Sequence, residues 1–196
     1  MFGGSFGGEW DMPSAAELLE DLGSYTPSGE PEASSLDRIR SLLRSADDPF
    51  TRARTEHVTA SAVVARPAGD AYLLVHHRRL GRWLQPGGHV EEGDETVLAS
   101  ALREAREETG VEDLQAPFGK RVLDVDVHPI PAFDSRPLHI HFDVRYLLTT
   151  PQEILAPSLD EVLGAAWFSI EGALAADVDG SLARALTKAR AWLTGF

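Results

Sequence analysis

Hydrophobic residues follow two periods along this chain. Near its start they recur every three or four positions. Leu18, Leu19 and Leu22 form one stripe behind the capping-box pattern Ser14-Ala15-Ala16-Glu17, and Leu36, Ile39, Leu42 and Leu43 form another. The spacing predicts a short helix over 15–21 and a second beginning after Ser34 or Ser35, with YTPSGEPEA at 25–33 as a linker by composition. From His57 the period becomes two. HVTASAVVA and AYLLVHH read as strands joined by a hairpin at RPAGD, and RVLDVDVHPI and HIHFDVRYLLT as two more joined by PAFDSRP. Between these pairs, Pro86-Gly87-Gly88 predicts a tight turn. A helix follows, with Asp94 as its N-cap, strong helix formers from Ala99 to Glu108, and Gly110 at its end. Ala156 to Leu163 reads as a polar loop, GAAWFSI as a short strand, and Asp179 to Leu193 as a closing amphipathic helix. Strands, helix, strands and helix in that order predict an α/β (α+β) fold, a mixed β-sheet with helices on its faces.

The two N-terminal helices are too short to bury their stripes alone. Residues 1–55 are therefore expected to form a tail and two helices that dock on a main domain of 56–196, or on a second subunit, which would make a homodimer. Residues 1–12 are glycine-rich, carry no GxxxxGK[ST] pattern, and read as a mobile tail. Composition narrows the function. A formal net charge of -13 opposes binding to nucleic-acid backbones but leaves room for a small nucleotide-type substrate. An acidic protein handling polyphosphate needs a divalent cation and local arginines, and Arg78, Arg79 and Arg82 cluster just ahead of the glycine turn. The absence of cysteine excludes disulfides and thiolate metal sites and fits a reducing cytosol. With no apolar run of membrane length and no signal-peptide pattern at the start, a cytoplasmic protein without a membrane partner is expected.

The central helix carries the candidate chemistry. At about 100° per residue, Glu104, Glu107 and Glu108 share one face, with Leu98, Leu102 and Ala105 roughly opposite. Carboxylates at this spacing repel by about 0.2–0.5 kcal/mol per pair in an isolated helix. A bound Mg²⁺ or Mn²⁺ reverses that sign, because hard cations take oxygen ligands. The competing reading is a solvated face in which Arg103 and Glu107 form an ordinary i, i+4 ion pair. Elsewhere, alternation puts His139, His141, Asp143 and Arg145 on one face of a strand that could line a cleft, and His89 follows the glycines directly. Arg78, Arg79 and Arg82 suit phosphate through their guanidinium forks, whereas Trp83, beside a strand end, reads as core.

Gly87-Gly88-His89-Val90-Glu91, followed by Arg103-Glu104-Ala105-Arg106-Glu107-Glu108-Thr109-Gly110-Val111, resembles the Nudix box of the Nudix hydrolase superfamily, GX5EX7REUXEEXGU with U aliphatic. The resemblance implies an α/β/α sandwich around a mixed sheet, here with an N-terminal helical extension. It also implies metal-dependent hydrolysis of a nucleoside diphosphate linked to another moiety, or of a nucleoside triphosphate; the alternative is a non-hydrolytic nucleotide-binding module on the same fold. It further implies Glu104, Glu107, Glu108 and the Gly88 carbonyl as metal ligands, Arg103 as the residue that orients them, and Glu107 or Glu161 as general base. The chain departs from the pattern twice. Six residues rather than five separate Gly88 from Glu95, so either Asp94 or Glu95 fills the first acidic position, and Ala105 replaces a larger aliphatic residue.

Overall fold

The protein is described by a computed structural model over residues 12–132, 136–160 and 162–195; all but the last residue of the expected tail lies outside these. Helices α1 (Ala15–Asp21) and α2 (Glu30–Ser45) precede strands β1 (Glu56–Ala65), β2 (Tyr72–His77), β3 (Arg82–Leu84) and β4 (Gly87–His89). Helix α3 (Val97–Thr109), strands β5 (Asp124–Ile130), β6 (His139–Thr149) and β7 (Val162–Phe168), and helices α4 (Ile170–Ala175) and α5 (Gly180–Thr194) follow. The strands form one mixed sheet in the order β3-β2-β1-β6-β5, with β4 paired to β1 and β7 to β2. Among the described residues only β1 and β6 run parallel, and their register sets His57 opposite His141 and Ser61 opposite Arg145.

Alternation along the strands divides the core between two faces. Val58, Ala60, Ala62 and Val64 of β1 and Val144, Tyr146 and Leu148 of β6 pack with α1, α2 and α3. The intervening Val63 and Ala65, with Leu147, pack under α4 and α5. Period two therefore delivers one set of side chains to each layer, giving the mixed sheet with helices on its faces that the pattern predicts. The stripes of α1 and α2, including Leu18, Leu22, Leu36 and Ile39, are buried in the first layer of this same chain.

Three local expectations are corrected. Helix α2 begins at Glu30, four residues before Ser34, because Pro31 sits in its first turn, where no N–H partner is needed, and Glu30 and Glu32 favour the helix N-terminus. The N-cap of α3 is Thr96, whose hydroxyl accepts from Ala99 N at 3.1 Å, so Asp94 is released for another role. The third concerns β3 and β4, which lie in a stretch that reads as turn and loop; their pairing with β2 and β1 makes them strands.

Glu32 ties α2 to the rest of the molecule. It is 1 % exposed and accepts from Tyr25, from the Ser28 backbone and hydroxyl, and from Lys188 of α5. Burial pulls its carboxyl up, but these donors outweigh burial and hold it down at about 2 against the usual 4.5. A depressed folded pKa means that this stabilisation is complete above pH 4.5 and is lost as pH falls towards 2. Glu32→Gln is expected to cost about 3 kcal/mol at pH 7 and to flatten the loss of stability below pH 5. Urea titrations of both proteins across that range would show it, and parallel pH profiles would remove Glu32 as the cause.

Candidate active site

The glycine turn and α3 meet at the mouth of the sheet. Gly87 pairs with Ser61 so closely that a Cβ there would lie 2.3 Å from Ser61 Oγ and 2.6 Å from its Cα. A Cβ at residue 88 would lie 2.5 Å from Cδ of Glu104. Bare backbone at 87 lets the turn pair closely with β1, and bare backbone at 88 leaves room for the Glu104 carboxylate of α3. Glu108 accepts from Gly87 N at 2.9 Å, and Glu104 and Glu108 are both buried. The buried face of α3 thus includes Glu104 and Glu108 beside Ala101 and Ala105, while Leu98 and Leu102 are only half-buried. The acidic face is not opposite the core, as helical geometry alone suggests, because β4 supplies a polar backbone for it to pack on.

Arg103 is the hub. Its Nε and Nη2 donate to the two oxygens of Asp94 at 3.1 and 3.0 Å, Nη1 donates to Glu104 and Glu107 at 3.1 Å each, and Nη2 also donates to His89 O at 2.8 Å. The five N–H groups of the guanidinium are thereby engaged. Asp94 is buried and also accepts from Glu91 N at 2.9 Å. Burial alone would raise its carboxyl, but Arg103 and the Glu91 amide hold it below the usual range. The choice left open by the extra residue falls to Asp94 in geometric terms, since Glu95 is exposed. Glu107 remains exposed on the cleft side while held by Arg103.

These groups open on a cleft of about 440 Å³. Gly88, Glu104, Glu107 and Glu108 line one side, joined by His89, His139 and His141, and Arg78 and Arg79 line it from the loop after β2. Arg78 is tethered, donating to Leu159 O at 2.6 Å. Sequence patterning missed Arg52, Arg136 and Asp160 at the cleft, since an isolated charge in a loop carries no periodic signal.

Two predicted substrate contacts are not brought to the cleft. Arg82 reaches towards Asp177 O at 3.4 Å on another part of the surface. Arg145 shares its strand face with His139 and His141, as alternation requires, but α5 covers that end of the face. It is 2 % exposed and donates to Asp143 at 2.8 Å, Asp124 at 3.4 Å and Ser181 at 3.0 Å. A buried guanidinium must be paired this way, so Arg145 organises the interior instead. Trp83 packs edge-on to Phe168 with centroids 4.9 Å apart, consistent with its reading as core. Glu161 lies outside the described residues.

The donor set fits a hard cation. Buried carboxylates and the backbone of a glycine that leaves them room offer oxygen only, the preference of Mg²⁺ and Mn²⁺. Among the described residues no helix is long and apolar enough to cross a membrane.

Comparison with known proteins places this geometry. The family model for the NUDIX domain matches residues 55–189. An uncharacterized Nudix hydrolase, YvcI, of Bacillus subtilis (strain 168) is 50% identical over 42 residues, which span 21% of this chain and only 26% of that protein. Among solved structures, the NUDIX domain of Shewanella oneidensis NrtR complexed with ADP ribose aligns with a TM-score of 0.54 at 21% identity, covering 78% of this chain and 97% of that one. The E. coli dihydroneopterin triphosphate pyrophosphohydrolase aligns with a TM-score of 0.51 at 19% identity, covering 69% and 94%. At these identities the two structures speak for the fold.

Proposed function

The chain belongs to the Nudix family, and we propose that it is a divalent-metal-dependent pyrophosphohydrolase, cleaving a phosphoanhydride bond of a nucleoside diphosphate linked to another moiety or of a nucleoside triphosphate. The observation that carries this reading is the arrangement of Glu104, Glu107 and Glu108, two of them buried against Gly87-Gly88 and all held through Arg103 or the turn. Glu104, Glu107, Glu108 and the Gly88 carbonyl would hold the Mg²⁺ or Mn²⁺. The metal, when bound, supplies charge neutralisation on phosphate oxygens and an acidified water.

The chain's own residues do the rest. Arg103 fixes the directions of Glu104 and Glu107, so their repulsion is met before substrate arrives. Glu107, the exposed member, or Glu161 would accept a proton from the attacking water. Arg78, Arg79 and Arg136 line the cleft with positive charge that suits a polyphosphate, in a protein whose overall charge would otherwise repel it. With no cysteine to suit an oxidising compartment, the proposal extends to a cytoplasmic setting.

The test is hydrolysis of nucleoside triphosphates, dinucleoside polyphosphates, nucleotide sugars and ADP-ribose with Mg²⁺ or Mn²⁺, read as the appearance of a shorter nucleotide together with its phosphorylated co-product. Turnover of at least one class that stops on chelation is expected. Metal-dependent binding without turnover across the whole panel would replace the hydrolase with a nucleotide-sensing module.

A further inference from the structure

Four histidines gather beside the carboxylate cluster, where β1, β4 and β6 meet. His57 comes from β1, His89 from β4, and His139 and His141 from β6, and one ligand nitrogen from each lies within 4.8 Å of the others. The pairing of strands assembles them. His57 stands opposite His141 in the β1–β6 register, and His89 opposite Thr59 on the other side of β1. Ring centroids are 5.1 Å apart for His57–His89, 5.1 Å for His57–His141 and 5.0 Å for His139–His141.

A second observation points to a shared ligand. Nε2 of His57, of His89 and of His141 is buried without a hydrogen-bond partner, and His57 as a whole is 2 % exposed. An unsatisfied buried polar atom is destabilising, so three in one place is an arrangement that packing alone does not favour. On the far side of two of the rings the proton is accounted for. His57 Nδ1–H donates to Arg54 O and His139 Nδ1–H to Pro137 O, each at 3.0 Å. That bond fixes the tautomer with a bare lone pair on Nε2, and it is the outer support that metal-bound imidazoles commonly have.

We propose that His57, His89, His139 and His141 form a binding site for a borderline divalent cation of the zinc class, separate from the carboxylate site on α3. Imidazole nitrogen suits Zn²⁺, whereas the oxygen donors of α3 suit Mg²⁺ or Mn²⁺, so the two sites sort cations by ligand chemistry. A tetrahedral zinc with bonds of about 2.0–2.1 Å sets nitrogen separations of ~3.4 Å, which nitrogens now within 4.8 Å of one another reach by closing by up to ~1.4 Å. An anion is the other occupant to weigh, because Arg52 and Arg136 line the adjoining hollow. Lone pairs on His57 and His139 Nε2 would repel it, and Arg52 is already engaged with Glu91 at 3.0 Å. The cation ties β1, β4 and β6 together beside the cleft, which His89, His139 and His141 also line.

The experiment is Zn²⁺ titration of chelator-stripped full-length protein in excess Mg²⁺, which occupies oxygen sites, with Co²⁺ absorption as a second readout. A single equivalent of Zn²⁺ is expected, together with the intense visible bands of a four-coordinate nitrogen site for Co²⁺. His141→Ala and the half-exposed His139→Ala should each weaken Zn²⁺ by at least about 10-fold, while Glu108→Gln leaves it unchanged. If His141→Ala fails to fold, as circular dichroism would report, His139→Ala and the Co²⁺ spectrum of the unaltered protein decide. No Zn²⁺ binding above Mg²⁺, weak octahedral Co²⁺ bands, or Zn²⁺ lost with Glu108→Gln but kept in the histidine variants would each overturn the proposal. None of these readouts needs turnover, so they stand or fall apart from the hydrolase reading.

Discussion

Glu108→Gln is expected to lower kcat by about 10³-fold with the fold intact. The reason lies in what the substitution keeps. A glutamine oxygen still accepts from Gly87 N, which Glu108 engages at 2.9 Å, so the turn stays docked on α3. What disappears is one negative charge from the buried pair of Glu104 and Glu108, and with it the term that draws a hard cation to the turn. Steady-state kinetics on the best substrate of the panel, with Mn²⁺ titrated to saturation, would measure the loss. Thermal unfolding without added metal should change little or rise slightly, since a repulsion is relieved. Turnover equal to the unaltered protein's would remove Glu108 from the metal site.

Arg103→Ala should produce a different pattern, with stability and metal affinity falling together. Five hydrogen bonds to Asp94, Glu104, Glu107 and the His89 carbonyl converge on this one side chain. Removing it strands Asp94, which is 6 % exposed, and breaking a buried pair in this way costs about 3–5 kcal/mol. Mn²⁺ affinity should drop by about 10–100-fold because the carboxylates lose the group that orients them. Arg103→Lys should recover little of either, since an ammonium cannot engage both Asp94 oxygens and two glutamates at once. The double substitution Asp94→Ala with Arg103→Ala should be milder in stability than the sum of the two singles. Urea unfolding and calorimetric Mn²⁺ titration would measure both effects, and Mn²⁺ affinity untouched by Arg103→Ala would show that the arginine is only a surface tie.

Much of this protein is legible along the chain because two simple periodicities govern it. The alternating runs at β1, β2, β5 and β6, the helix ended by Gly110, and the mixed sheet with helices on both faces all follow from side chains that must choose between core and solvent every second or every fourth residue. The acidic cluster at 104, 107 and 108 was visible for the same reason, since its spacing conflicts with what a solvated helix favours. Where local composition pointed elsewhere, tertiary partners decided. Pro31 looks like a linker residue until it is seen in the first turn of α2, and β3 and β4 have no pattern of their own and exist through β2 and β1.

The alternation that aligned His139, His141, Asp143 and Arg145 was right about the face and silent about its cover. Helix α5 closes over Arg145 and leaves the histidines beside the cleft, and sequence separation hides that, since Ser181 is 36 residues away. Likewise, helical spacing alone sets an arginine and three glutamates on one helix. It left Asp94 and Glu95 as equal candidates for the first acidic position. Only the folded chain chose Asp94, because the helix starts at Val97 behind the Thr96 cap and the turn before it brings both Asp94 oxygens to Arg103. The same holds for His57, which comes within reach of three other histidines only when β1, β4 and β6 pair. Periodicity is local and fixes which way a side chain points. Which distant groups it then meets depends on strand register and on what covers each face, and those are set by the packing of the whole chain.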